Sequence, residues 1–286
     1  MFKIFTFKQL AVISFALCII MISGAILNTF SPYIPVNAQS SVTVPIIMYH
    51  QISEKVSNCG DYTITVKLLR EDFQYMKEND IHPVSVKELS EYVKEGKPLP
   101  ENPIVITFDD GERSFITKVL PLLKEYSYPA NVNIVGSLTE LYTKNGDTDD
   151  RYAYLNAEDI KALSSEPLVE IGCHTYNLHS LGTRRGMSKL KSETQEEYTA
   201  MIRNDIKLFQ EKFYEITGKK TVYFAYPYGL RNDTALDILK NEKFTVTLTC
   251  RESSNTISVG GDLYELGRFN RPYGKSSHIF FKSIFS

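Results

Sequence analysis

The sequence predicts an α/β fold in which parallel strands close into a single barrel. Two observations carry this. Apolar, β-branched runs of strand length alternate with helical periodicity some six or seven times along the chain, the pattern of strand–helix–strand units. Four of those runs end in polar residues of catalytic type: His50, Asp109-Asp110, His174 and Pro227-Tyr228-Gly229. An α/β barrel assembles its active site at the C-terminal ends of its strands.

The N-terminus stands apart from the fold. Lys3 and Lys8 precede an apolar run from Leu10 to Leu27, and Val36-Asn37-Ala38 suits a small-residue cleavage site with cutting after Ala38. Retained, the run is long enough to span a bilayer. Residues 1–38 are therefore expected to be a signal peptide or signal anchor. Residues 39–286 are expected to form one domain working outside the cytoplasm, secreted or held at the cell surface. Without Lys3 and Lys8 the formal charge moves from −2 to −4, which argues against nucleic acid as a partner. Cys59, Cys173 and Cys250 are an odd set, so at least one thiol stays unpaired and the fold is not disulfide-built.

Val44 to His50 reads as the first buried strand. Leu69, Phe73 and Met76 mark a helix ending near Asn79, and Leu89, Tyr92 and Val93 mark another. After a loop rich in Gly and Pro, Ile104 to Phe108 is a strand delivering Asp109-Asp110-Gly111 into a turn. Taken alone, two carboxylates before a helix read as an N-cap. The other reading is a pair that compensates a cation, because burying ionised carboxylates is otherwise costly. A helix carrying Phe115, Val119 and Leu122 follows, then strand Ala130 to Val135, a polar loop from Thr143 to Arg151, and a helix capped by Asn156. Val169 to His174 is a strand. Ser192 to Thr217 is a long amphipathic helix closed by Gly218. Strands at Val222 to Tyr226 and Thr245 to Thr249 flank a short helix, and Leu266 to Phe269 is the last strand.

His174 and His179 lie five residues apart just after a strand. Positions i and i+5 do not share a helix face, so a loop must bring the imidazoles together. With one carboxylate they make a two-His, one-carboxylate set that leaves coordination positions open, suited to Zn²⁺ or another divalent ion, including Fe²⁺. Cys173 alternates away from His174 along the strand and reads as a buried structural thiol.

Three motifs resemble the polysaccharide deacetylases, the NodB-homology family of carbohydrate esterases. They are Thr107-Phe108-Asp109-Asp110-Gly111, His174-Thr175…His179, and Phe224-Ala225-Tyr226-Pro227-Tyr228-Gly229. The likeness runs from about Val44 to Pro272. It implies a distorted (β/α)7-type barrel and a metal-dependent hydrolase that deacetylates N-acetylated sugars in a polymer. On this resemblance Asp110, His174 and His179 match the metal ligands, for Zn with Co or Ni as alternatives, and Asp109 matches the general base. The backbone N–H of Tyr228 matches an oxyanion donor. A metal that polarises the amide and acidifies water, beside a carboxylate that takes the proton, makes chemical sense of the paired aspartates.

The chain departs from the family pattern in several places. The histidines are usually four apart. The usual Arg-Pro-Pro of the third motif is Ala225-Tyr226-Pro227 here, so its bracing arginine is missing, and a chain without Trp cannot carry the usual fourth motif. His278 fits poorly as the usual C-terminal histidine. These departures resemble the poly-N-acetylglucosamine deacetylase branch, in which the last motif is permuted to an N-terminal Met-Tyr-His strand. Met48-Tyr49-His50 matches it and implies that His50 is the general acid. Arg268 and Arg271 are the candidates to replace the missing arginine. The expected activity is N-deacetylation of N-acetylglucosamine units in a wall or extracellular polysaccharide. The alternatives are a glycan-binding pseudo-enzyme of the same fold, a glycoside hydrolase, which needs two facing carboxylates, and a two-His, one-carboxylate iron oxygenase.

Overall fold

A computed structural model describes residues 41–285. The predicted leader, residues 1–38, lies outside them. Strands β1 (Ser41–Val44), β2 (Ile46–Tyr49), β3 (Gln51–Ser53) and β4 (Thr63–Thr65) come first, then helix α1 (Val66–Glu78), the short β5 (His82–Pro83) and α2 (Val86–Glu95). Next are β6 (Pro103–Phe108), a π-helical turn over Phe115–Val119, α3 (Leu120–Tyr126), β7 (Ala130–Ile134), α4 (Gly136–Asn145) and α5 (Ala157–Leu163). Then come β8 (Val169–Cys173), α6 (Gln195–Thr217), β9 (Tyr223–Ala225), α7 (Asp233–Asn241) and β10 (Val246–Leu248). The last elements are β11 (Asn255–Ser258), β12 (Leu263–Leu266), β13 (Phe269–Asn270) and α8 (Ser277–Phe285).

The main sheet runs β12-β10-β9-β8-β7-β6-β2-β13, and every neighbouring pair is parallel. Its two end members are separated in the chain only by Gly267 and Arg268. One stretch of chain therefore lies along both edges, and the sheet curls until they meet. This gives the expected barrel of seven strand positions, the seventh split by a seam at Gly267-Arg268. Glycine is required there, because a Cβ on Gly267 would stand 2.6 Å from the Arg251 carbonyl oxygen and 2.2 Å from the Ser253 hydroxyl. Asn255 ties the seam down, accepting from the Gly267 N–H (2.8 Å) and donating to its carbonyl (3.0 Å).

Strand periodicity sorts the core into two layers. Ile104, Ile106 and Phe108 of β6 join Ile47, Val132, Ile171 and Phe209 in the apolar layer beneath the outer helices. Val105 joins Ile46, Ala225, Val246 and Leu248, against which Leu89 and Val93 of α2 pack. Thr107 and Asp109 follow Val105 on that second face, so the strand that seals the core also carries Asp109 to its upper end. Cys173 belongs to the first layer and is fully buried, facing away from His174 as expected.

The C-terminal segment is fastened by Arg271. Its guanidinium forks onto Asp72 of α1 at 2.9 and 2.8 Å, and Tyr49 donates to the same carboxylate at 3.0 Å. Arg271 also donates to the Pro272 and Lys275 carbonyls and lies 4.7 Å from the Phe280 ring.

Several expectations need correction. Neither Asp109 nor Asp110 caps a helix: the next helical segment opens at Phe115 as a π-turn without a side-chain cap. The Asn156 cap does form, with Asp159 completing a capping box. Helices α4 and α8 and strand β11 are additional to the expected elements, and the expected last strand, Leu266 to Phe269, is broken at Gly267-Arg268, which separates β12 from β13. α4 buries only Thr139 and so carries almost no apolar stripe, while the short α8 is apolar on most sides and gives no clear period.

Candidate metal centre and active site

Asp110, His174 and His179 converge. One ligand-type atom from each lies within 4.8 Å of the others. The Asp110 Oδ1 is 3.5 Å from His174 Nε2 and 3.1 Å from His179 Nε2. His174, 2% exposed, has its Nδ1 2.7 Å from the Ala225 carbonyl oxygen. That carbonyl can only accept, so Nδ1 carries the proton and Nε2 turns a lone pair toward Asp110. Burial lowers the pKa of His174, although Asp109 and Asp110 oppose the shift. A neutral Nε2 facing a carboxylate oxygen puts two lone pairs together. This agrees with the Asp110 Oδ1 being buried without a true donor among the described residues. His179 differs: burial alone would lower its pKa, but the Asp110 carboxylate raises it. The set fits a divalent cation: two imidazoles, one carboxylate, and a second-sphere carbonyl fixing a tautomer.

The backbone at these strand ends is unusual. Asp110, Thr175 and Tyr228 have φ of 70°, 69° and 57°, left-handed conformations rare for residues with side chains. Strain of this kind gathers at functional sites.

Asp109 does not join the cluster. At 2% exposed, its Oδ1 accepts from Arg268 (2.7 Å) and from the Asn133 amide (2.8 Å), and its Oδ2 accepts from the other arm of Arg268 (2.7 Å). Burial would raise its pKa, but the Arg268 guanidinium and nearby His174 overcome that and hold it well below the usual carboxylate range. Two donors fill Oδ1, whereas Oδ2 keeps an open lone pair. Arg268 thus stands where the third motif lacks an arginine. Arg271, the other candidate, is spent on Asp72.

His50 sits just beyond β2 with its ring edge-on to Tyr62 at 4.9 Å, and its Nδ1 has no partner among the described residues. Burial lowers its pKa, while the charges of Asp110 and Asp109 pull it back. The Tyr228 ring stacks on His179 at 4.8 Å, and the Arg185 guanidinium lies 5.8 Å from the Tyr228 ring centroid. Glu112, pushed up to about 8 by burial and by Asp110, lies beside the cluster and bridges to Tyr154.

The sequence-based reading missed Asn133, although an asparagine inside the strand Ala130–Ile134 was a readable anomaly. A Cβ on Gly172 would stand 2.0 Å from the Asn133 Oδ1, so the neighbouring strand is bare where this amide needs room. Asn133→Ala should cost about 1.5–3 kcal/mol, the range for a hydrogen bond to a charged group. Urea unfolding of both proteins measures it, and an unchanged midpoint would mean that the bond contributes nothing.

A family model described as polysaccharide deacetylase matches residues 96–247. A poly-beta-1,6-N-acetyl-D-glucosamine N-deacetylase of Escherichia coli (strain K12) is 28% identical over 259 residues, covering 81% of this chain and 38% of the relative. One of the same name from Staphylococcus aureus (strain MSSA476) is 26% identical over 211 residues, covering 73% of this chain and 68% of the relative. The chain thus spans 38% of the length of the Escherichia coli relative. The solved structure of a de-N-acetylase from Aggregatibacter actinomycetemcomitans matches with a TM-score of 0.72 at 24% identity, covering 82% of this chain and 97% of that one. That likeness supports the fold.

Proposed function

The chain belongs to the polysaccharide deacetylase family, and from that premise we propose that it hydrolyses the N-acetyl amides of N-acetylglucosamine units in a polysaccharide. The observation that carries this is the division of labour between neighbouring aspartates. Asp110 meets two imidazoles, while Asp109 is turned to Arg268 and Asn133.

Asp110, His174 and His179 would hold the cation, Zn²⁺ with Co²⁺ or Ni²⁺ as alternatives. A divalent ion there would polarise the acetyl carbonyl and acidify a water. The open lone pair on Asp109 Oδ2 takes the proton from the attacking water, and Arg268 and Asn133 keep that carboxylate from turning. The Tyr228 N–H donates to the carbonyl oxygen as charge builds on it. His50 protonates the departing amine, so that amide and water become acetate and a free amino sugar. A leader at 1–38 ahead of a working domain at 39–286 would direct the activity outside the cytoplasm. No helix among the described residues is long and apolar enough to cross a membrane.

The reading of the chain as a glycan-binding pseudo-enzyme rested on the missing third-motif arginine. The bidentate Arg268–Asp109 pair removes its main support.

The deciding experiment incubates metal-loaded protein with poly-N-acetylglucosamine, wall glycan and chitin oligomers and assays acetate. No acetate from any of them, with retained glycan binding, would return the pseudo-enzyme reading. His50→Ala should lower turnover by about 10²- to 10⁴-fold, the span of a general acid, with metal content unchanged by elemental analysis. Metal loss in that variant would recast His50 as a ligand.

A further inference from the structure

The segment that joins the two histidines is bonded from both sides. On one side the start of α4 takes its carbonyls: the Gly136 N–H donates to Thr175 O (3.1 Å) and the Ser137 N–H to Tyr176 O (2.7 Å). On the other side a single carboxylate of α6 takes its donors. Asp205 accepts the Tyr176 N–H on Oδ1 and the Asn177 N–H on Oδ2, both at 2.8 Å. Inside the segment the Leu178 N–H donates to the Thr175 hydroxyl at 3.1 Å.

This arrangement accounts for the wide histidine spacing. An extra residue between two ligands leaves backbone donors that no helix or strand can satisfy, and buried donors without partners are costly. Asp205 satisfies two consecutive donors at the middle of the segment, between His174 and His179. Asp205 is 9% exposed and has no cationic partner among the described residues. Burial raises its pKa to about 6 despite those two N–H bonds. A fold that buries an unpaired carboxylate bears a real cost, and here the charge is spent on the segment that carries His179.

We infer that Asp205 is a positioning residue that sets metal affinity by holding the His174–His179 segment in its ligating shape. The inference rests on the reading of Asp110, His174 and His179 as the metal set. Partners outside the ligand shell orient the ligands, and losing one typically lowers metal affinity 10- to 100-fold.

The test is calorimetric titration of Zn²⁺ into the metal-stripped full chain, with the thermal midpoint of each metal-free protein measured alongside. Asp205→Asn keeps the size of the side chain but turns an NH₂ toward one of the two backbone donors. It should weaken Zn²⁺ binding by about 10- to 100-fold. Asp205→Glu keeps the charge at a different reach and should fall between Asp205→Asn and wild type. It also serves if Asp205→Asn does not fold. Arg271→Ala, outside the segment and its contacts, shows how much affinity a plain loss of stability costs. Its Zn²⁺ affinity should stay within about threefold of wild type, well short of the loss expected from the segment variants. Wild-type affinity in Asp205→Asn, or in Asp205→Glu where only that variant folds, would overturn the inference and make Asp205 merely structural. Equal losses in Arg271→Ala and Asp205→Asn would do the same. A wild-type chain that binds no Zn²⁺ would instead sink the metal reading, and this inference with it.

Discussion

Asp109→Asn should retain its metal and lose about 10²- to 10⁴-fold in turnover. The substituted amide keeps one oxygen but replaces the other acceptor with a donor. Either orientation points N–H bonds at an arm of Arg268 or removes the open lone pair on Oδ2. The guanidinium cannot give up its charge, so it is left buried without an anion, and stability falls as well. Metal content is therefore the discriminating readout. Asp110→Ala is the reciprocal case, expected to lose metal and turnover together. Acetate release and elemental analysis on the two variants give the comparison. Activity near wild type in Asp109→Asn, or metal loss in it, would dissolve the division of labour between the two aspartates.

Arg268→Ala should cost about 3–5 kcal/mol, the usual penalty for stranding a buried charge, against a typical total of only about 5–15 kcal/mol. Its signature is a reversed pH dependence. In the wild type, Asp109 is depressed by Arg268, so its contribution is present above the unfolded carboxyl pKa and is lost as pH falls through the folded one. Without Arg268, burial dominates and the folded pKa rises above the unfolded value. The folded state then binds the proton more tightly, and stability declines as pH rises through the window between the two values. Urea unfolding from mildly acidic to neutral pH would resolve the sign. A slope unchanged from wild type would show that Asp109 does not depend on Arg268. Arg268→Lys should recover part of the loss, since a point charge cannot reproduce the two-armed contact.

How much of this was readable depended on how local each signal was. His50, Asp109, Asp110 and His174 each end an apolar run, so the run and the polar stop sit side by side in the sequence, and parallel strands bring such stops to one rim. The choice between Arg268 and Arg271 had no local answer. Three residues apart in extended chain, they face opposite ways, but which one turns inward depends on the seam between β12 and β13, a property of closure. Asp205 was hidden for a related reason. It lies in a long amphipathic helix, where an acidic residue reads as solvated, and nothing nearby announces that a loop about 30 positions earlier needs an acceptor. The family pattern points to the proposed ligands but not to these supports, because the arginine has moved and the histidine spacing has grown.

The seam has a consequence for biogenesis. Asp109 and Arg268 are 159 positions apart, and Arg268 lies in the last strand position to be made. A chain emerging from its N-terminus owns both aspartates and both histidines long before the guanidinium that braces Asp109 exists. Until the two sheet edges meet, Asn133 is the one other side-chain hydrogen-bond donor to that carboxylate among the described residues. On the proposed mechanism, hydrolytic competence would arrive with the final closing step, and a partly synthesised chain would be a dormant precursor.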